Sequence, residues 1–523
     1  MSTRPTARLW LAVACLALGS ASSFAEGTEA GPITLDIEPP APLVIEAPSA
    51  ARLLANEVTA PTAAPVLSLP DLPPVVVAVP AAEPVPAPVT AEAKAPEPAL
   101  SSAQRLAEAI RDRVADPALP LPPRISARDR EGLAAAYASG EALWIADGAW
   151  NPAANAVLDR LSRAGEDGLD PAEYPAPVLG SSPSELAEAE LKLSAAAFLY
   201  ARDARGGRIE PNRLGALITP KLDLPGVERV LAVLAARADA GEALHGFNPR
   251  YPGYVALRAK LAELRADHPV AMTTSPRGTR LASVGTTSSL GRVSPRLEGD
   301  IVANMERWRW LPSQVGERYV LVNVPEFRLR LVEDGRTIHE ARVITGATAT
   351  PTPVFSDLID HAIVNPSWFV PPSILKKMDV AAAARSGYEV RQSRRGGTSV
   401  RMPPGPRNAL GYIKFMFPND HAVYLHDTPN RGLFGASNRA LSHGCVRVEN
   451  PFALGGRILG AQWTEGRLRS LVGSGERMIR LDERLPVHLA YFTVMVDEDG
   501  ELRTFGDIYG YHGRVRRALG LGG

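Results

Sequence analysis

From Ser101 to about His268 the apolar positions recur at helical intervals, through SAQRLAEAIRDRVA, DREGLAAAYA, NPAANAVLDRLSRAG, SELAEAELKLSAAAFLYARDA and YVALRAKLAELRAD. Asn151 before Pro152 marks a helix start, an acceptor side chain followed by a residue whose φ is already helical, and Gly165 sits near that helix's end. The pattern predicts an all-helical domain over 101–268, with Trp144, Trp150, Phe198 and Tyr200 in its core because large aromatics dominate burial. The stretch 269–299 is rich in Ser, Thr, Gly and Arg without periodicity and reads as a linker. Across 300–523 the period becomes two. RYVLVNV, FRLRLV, HAIVN, AVYLH, CVRV, HLAYFTVMV and ELRTF are strand candidates, with hairpin turns at EDGR (Glu333–Arg336) and DEDG (Asp497–Gly500). An insertion over about 373–408, helical and then Gly/Pro/Arg-rich, interrupts these strands and could cover a site as a lid. Trp308 and Trp310 are read as sharing one face that packs between domains. The fold class is multidomain: an all-α domain, then a β-rich (α+β) domain with the lid insertion.

The first hundred residues break this pattern. Arg4 and Arg8, the apolar run Leu9–Leu18 and the small residues ending at Ala25 form a secretory signal over 1–25, which predicts export. The next segment, 26–100, holds 16 of the 48 prolines and no aromatic residue, so it cannot bury enough apolar surface to fold and reads as a disordered Ala/Pro-rich tether.

Charge changes the picture by exclusion. Lys+Arg and Asp+Glu both total 57, so no basic field exists to gather nucleic acid. Two cysteines exclude a disulfide framework, and Cys15 lies inside the signal, which leaves Cys445 alone in an oxidising compartment.

Cys445 stands in LSHGCVR, and His426 ends AVYLH nineteen positions earlier. If the strands that carry them pair, the two side chains become a dyad in which imidazole lowers the thiol pKa and thiolate attacks an acyl carbon. Main-chain N–H groups around Gly444 and Cys445 are then the available oxyanion donors.

These residues resemble the L,D-transpeptidases of peptidoglycan, whose signature is a His, a spacer of about this length, and Ser or Thr followed by HGC. MERWRWLP, VNPSWFVPPSI, YLHDTP and PVHLAYFTVMVDEDGELRTFGDIYG are similar to the large Gram-negative branch of the family. LWIADGAWNPAANAVLDRLSRAGEDGLDPAEY and FLYARDARGGRIEPNRL resemble that branch's helical scaffold domain. The resemblance implies Cys445 as nucleophile and His426 as base and acid, with the Asp427 carbonyl holding the imidazole and the Asp427 carboxylate as a competitor for that role. It implies an oxyanion region at His443, Gly444 and Cys445, steadied by Ser442. Substrates would be tetrapeptide stems as donor and acceptor, the product a 3→3 cross-link through a thioester, the compartment the periplasm, and carbapenems covalent inhibitors. No metal or organic cofactor is needed. The scaffold domain could dock an envelope protein.

Two departures stand out. Arg447 replaces an Asn common in relatives, and could bind a stem carboxylate or a neighbouring acid. The three-helix wall-binding module that larger relatives insert before ERWRW has no counterpart pattern here. Around the site, Trp368 is read as a groove wall or as core, and Tyr424 as lining the same strand face as His426. Other readings stay open: a zinc set from His421, His426, His443 and Cys445; an L,D-carboxypeptidase, with water as acceptor; attachment of another amine, such as a lipoprotein lysine; and a non-catalytic wall-binding scaffold.

Overall fold

A computed structural model describes residues 100–266, 295–313, 316–393 and 396–522 of the 523-residue chain. The signal over 1–25, the tether up to 99, the linker up to 294 and the lid residues Arg394 and Arg395 lie outside the described residues.

Helix starts in the first half are written into the sequence as side-chain caps. Ser101, Ser126 and Ser182 each close a capping box ahead of α1 (Ser102–Ala115), α2 (Ala127–Ala136) and α4 (Pro183–Gly206), with Gln104, Asp129 and Glu185 answering. A short hairpin, β1 (Ile145–Ala146) and β2 (Ala149–Trp150), leads to α3 (Pro152–Ser162), where Asn151 accepts from the Ala154 N–H at 2.8 Å. The 24-residue α4 is buried nearly all round, and α1, α3, α5 (Val227–Ala235) and α6 (Ala240–His245) pack on it. Trp144, Phe198 and Tyr200 are buried in this core, while Trp150 packs half-buried at its rim. Each such side chain contributes about 1.5–3 kcal/mol through burial.

α7 (Pro252–Ala266) closes the helical part, and its Tyr254, Leu257 and Leu261 share a core with the β-rich part rather than with α4. α8 (Pro295–Trp308) supplies the other side of that core, so residues 295–299, read as linker from composition, are helical. The same helix separates the two tryptophans. A helix turns by about 100° per residue, so i and i+2 diverge. Trp308 stacks on Phe492 at 4.1 Å, whereas Trp310, just past the helix end, joins Tyr491, Tyr509 and Val354.

The second half is built around one nine-stranded sheet, with two small sheets beside it. β3 (Arg318–Asn323), β4 (Arg328–Glu333) and β5 (Arg336–Gly346) are a meander. Asp334 and Gly335 take φ of 49° and 75° in the β4–β5 turn, the left-handed pair a two-residue hairpin requires. β6 (Phe355–Val364) follows, then the insertion: β7 (Trp368–Phe369), α9 (Pro372–Leu375), α10 (Val380–Arg385), β8 (Glu389–Gln392) and β9 (Thr398–Met402), with β7, β9 and β8 forming their own sheet. β10 (Ile413–Met416), β11 (Leu425–His426), β12 (Ala440–Ser442), β13 (Val446–Val448), α11 (Pro451–Ile458), α12 (Glu465–Ser470) and β14 (Arg477–Ala490) complete the body. β15 (Val494–Val496), β16 (Leu502–Thr504) and α13 (Tyr511–Ala518) end the chain's described part. The sheet order is β12-β5-β13-β11-β10-β6-β14-β3-β4, and β4 also pairs with β5, so the ladder closes on itself as a barrel.

AVYLH gives a ladder of only two residues. Ala422 has φ 57°, and Asn419 holds the bend, accepting from the His421 and Val423 N–H groups at 3.0 and 3.2 Å. The helical part reaches this region too: Leu217 and Thr219 bond the main chain of Val354, and the Thr219 hydroxyl meets His421 Nε2 at 2.6 Å.

Candidate active site

Strand register brings the chemistry together. β11 and β13 pair in parallel, with Leu425 opposite Val446 and His426 opposite Arg447, and the Val446 N–H donates to the Tyr424 carbonyl at 3.2 Å. Cys445 therefore arrives beside Tyr424, one step before the ladder. By the two-residue period Tyr424, His426, Cys445 and Arg447 fall on one face. β10 adds Lys414 directly opposite His426. Its ammonium lies 5.3 Å from the centre of the Tyr424 ring, which packs edge-to-face with the His426 ring at 5.7 Å between centres. Lys414 escapes a reading of the sequence because only the β10–β11 pairing, across an eight-residue irregular connection, aims it at this face.

His426 is buried and oriented by main chain. Its Nδ1–H donates to the Asp427 carbonyl at 2.5 Å, which fixes the tautomer and leaves Nε2 as an unpartnered lone pair. The Asp427 carboxylate is occupied elsewhere, accepting from the Tyr412 N–H at 2.9 Å and from Arg431 at 3.2 Å. The carbonyl, not the carboxylate, holds the imidazole.

Burial sets the protonation states. It pushes the Cys445 thiol up to about 11, against a main-chain hydrogen bond at Tyr424 and the charges of Arg447 and Lys414, which favour thiolate. It also drives His426 down to about 3, reinforced by Arg447 and Lys414 and opposed by the Asp427 carbonyl. The expectation of a thiolate formed in advance is thus corrected: at neutral pH the pair rests as thiol and imidazole, because desolvation outweighs the neighbouring charges.

The loop before Cys445 is braced from within and from outside. Buried Ser442 donates to the Cys445 carbonyl at 2.6 Å and accepts from the Gly444 N–H at 3.2 Å. Ser442 therefore holds the loop itself and is turned inward, away from any substrate. The same bond takes up the Gly444 N–H, one of the two oxyanion donors read from the sequence. Gly444 has φ 125°, a conformation closed to side-chain-bearing residues, and its carbonyl accepts from Thr352 at 2.8 Å. The Thr352 hydroxyl in turn accepts from the Gly346 N–H at 2.8 Å. Thr352 is another residue that sequence reasoning missed, since nothing local marks it.

The remaining candidates separate. His443 is exposed, with its side chain outside the buried cluster. Arg447 is buried in β13, where its charge bears on both members of the dyad. Trp368 is fully buried, edge-on to Tyr388 at 6.2 Å, so it is core and not a groove wall; its neighbour Phe369 is the exposed aromatic. His421 is drawn to Thr219 and the Phe355 ring. Among the described residues no three His, Cys, Asp or Glu side chains are grouped to hold a metal ion.

Comparison with known proteins agrees with this architecture. A family model described as Scaffold domain matches residues 131–261, and one described as L,D-transpeptidase catalytic domain matches 317–458. A Haemophilus influenzae protein provisionally named an L,D-transpeptidase is 34% identical over 245 residues, covering 42% of this chain and 49% of the relative. The chain thus spans about half the length of that curated relative. Among solved structures, the catalytic domain of the E. faecium L,D-transpeptidase acylated by ertapenem is 14% identical, over 34% of this chain and 98% of that one, at TM-score 0.19. L,D-transpeptidase 3 of Mycobacterium tuberculosis with a faropenem-derived adduct is 13% identical, over 33% and 60%, at TM-score 0.19. These superpositions are too loose to add to the sequence match. Residues 317–458 belong to the L,D-transpeptidase catalytic-domain family, carried in this chain behind a scaffold domain.

Proposed function

We propose that the chain is an exported, periplasmic, cysteine-dependent L,D-transpeptidase that joins peptidoglycan stem peptides by 3→3 cross-links. The observation that carries this reading is the buried His426 imidazole, tied at Nδ1 to the Asp427 carbonyl and unpartnered at Nε2, on the strand paired with the one Cys445 opens.

In the first step Cys445 Sγ attacks the carbonyl carbon that precedes the terminal D-alanine of a tetrapeptide stem, and the thiol proton passes to His426 Nε2. Arg447 and Lys414 favour sulfur's negative charge as it develops, and the Cys445 N–H stands ready for the oxyanion. Collapse breaks the peptide bond, and D-alanine leaves with the proton returned by His426. The thioester carbonyl is then attacked by the side-chain amine of a second stem, His426 again taking and returning one proton, and the thiol is restored. Carbapenems would trap Cys445 at the first step, and the helical domain would dock an envelope protein.

The test is muropeptide analysis of digested wall after expressing wild type and Cys445→Ala. Wild type should add 3→3 dimers that the variant does not. Tripeptide stems without dimers would mean that water is the acceptor and the enzyme an L,D-carboxypeptidase; no Cys445-dependent change would defeat the assignment.

A further inference from the structure

At the barrel end where β3 begins, the helical part and the barrel enclose a cleft of about 850 Å³. It is remote from the dyad. Glu317, on its wall, bonds Asp334 in the β4–β5 turn at 2.7 Å, whereas Ser442 and the Cys445 loop meet β5 at its other end, Gly346. The eleven residues of β5 separate these ends by roughly 30 Å.

The cleft's charge is not balanced internally. Arg205, Arg229, Arg237 and Arg250 line it, against the two carboxylates Asp223 and Glu317. Arginines elsewhere in the helical part are held by carboxylates: Arg124 by Asp203 at 2.6 Å, Arg202 by Asp129 at 3.2 Å, Arg258 by Asp167 at 2.8 Å. Among the described residues Arg229, Arg237 and Arg250 form no ion pair. Arg205 is 9% exposed, yet its Nε has no partner and its Nη1 reaches only the Leu311 carbonyl, at 3.4 Å. Burial, and then Arg229, push its pKa down, while Asp223 and Tyr251 oppose them. A guanidinium left largely unsatisfied beside other guanidiniums is costly unless an anion completes it.

We propose that this cleft is an anion-binding site that holds a carboxylate-bearing stem peptide of the cell wall, away from the stem in reaction. Several planar donor forks along one cleft suit several carboxylates on one flexible chain, and the volume suits a short peptide. The choice of ligand rests on the function proposed above; the anion chemistry does not. Such a site would keep the enzyme on the wall without occupying the dyad.

The experiment is co-sedimentation of the full-length protein with purified sacculi, after blocking Cys445 with a carbapenem. Wild type and Arg229→Lys/Arg237→Lys should pellet, and Arg229→Ser/Arg237→Ser should bind about tenfold more weakly or worse, with its carbapenem acylation rate unchanged. Equal binding by the serine variant overturns the proposal, as does a wild type that stays in solution. Should the serine pair lose acylation through misfolding, Arg250→Ser alone is read in the same way. If no carbapenem adduct forms at all, the function proposed above has failed, and pelleting of the unacylated protein still decides the cleft.

Discussion

The Thr352 hydroxyl donates to the Gly444 carbonyl at 2.8 Å and thereby ties the β5–β6 connection to the residue immediately before Cys445. Both groups are buried, and Thr352 also accepts the Gly346 N–H. Thr352→Val keeps the shape but strands two buried polar groups, at about 1–3 kcal/mol. We expect a lower midpoint in urea and slower acylation, with Thr352→Ser restoring both. A valine variant that acylates at the wild-type rate would show that the brace does not position the nucleophile.

Asp427 should tolerate change at its side chain. Asparagine retains an acceptor for the Tyr412 N–H and loses only the pairing with half-exposed Arg431, while the main-chain carbonyl that holds His426 is untouched. Asp427→Asn is predicted to slow acylation by less than about tenfold. A loss of about 10⁴, as when a carboxylate orients the base, would reassign the role to the side chain.

The protonation states make a signed prediction about stability. The folded His426 sits at about 3, below the ordinary imidazole value near 6.5, so between these values the unfolded chain binds more protons. Stability from this residue is present above pH 6.5 and lost as pH falls toward 3, on the order of 5 kcal/mol in full. For Cys445 the sign reverses: the folded thiol is raised to about 11, so stability falls as pH rises from the ordinary thiol value near 8.5 through 11. Urea titrations should show a weaker acid-side slope in His426→Ala and a weaker alkaline-side slope in Cys445→Ala; unchanged slopes would contradict the neutral resting pair.

Lys414 gives a test of the residue that pairing alone reveals. Its charge favours thiolate on Cys445 and disfavours imidazolium on His426. Lys414→Met should move the alkylation profile of Cys445 to higher pH. A shift to lower pH, or none, would remove Lys414 from the site's electrostatics.

The order of legibility follows how local each signal is. His426 and Cys445 could be read because the strand, spacer and SHGC turn lie within one short stretch, and the Asn151–Pro152 cap because it is a two-residue signal. Trp368 is not placed by the sequence, since a proline-locked extended segment looks alike at a groove and in a core; the fold makes it part of β7 and buries its side chain fully. The start of α8 was hidden by the Ser/Thr/Gly-rich stretch before it, and its continuation to Trp308 is what parts the two tryptophans. Thr352 lies ninety-two positions from Gly444, and Lys414 acts across a strand pair, so both depend on closure of the barrel. The thiol's protonation is not legible in the sequence, which shows the partner and not the desolvation.

The most direct measurement is intact mass after incubation with a carbapenem, taken on wild type, Cys445→Ala and His426→Ala. The account predicts one adduct on wild type, none on Cys445→Ala, and adduct formation slowed by roughly 10²–10⁴ in His426→Ala, where the proton acceptor is gone. An adduct that persists in Cys445→Ala, or a His426→Ala enzyme that acylates as fast as wild type, would contradict it.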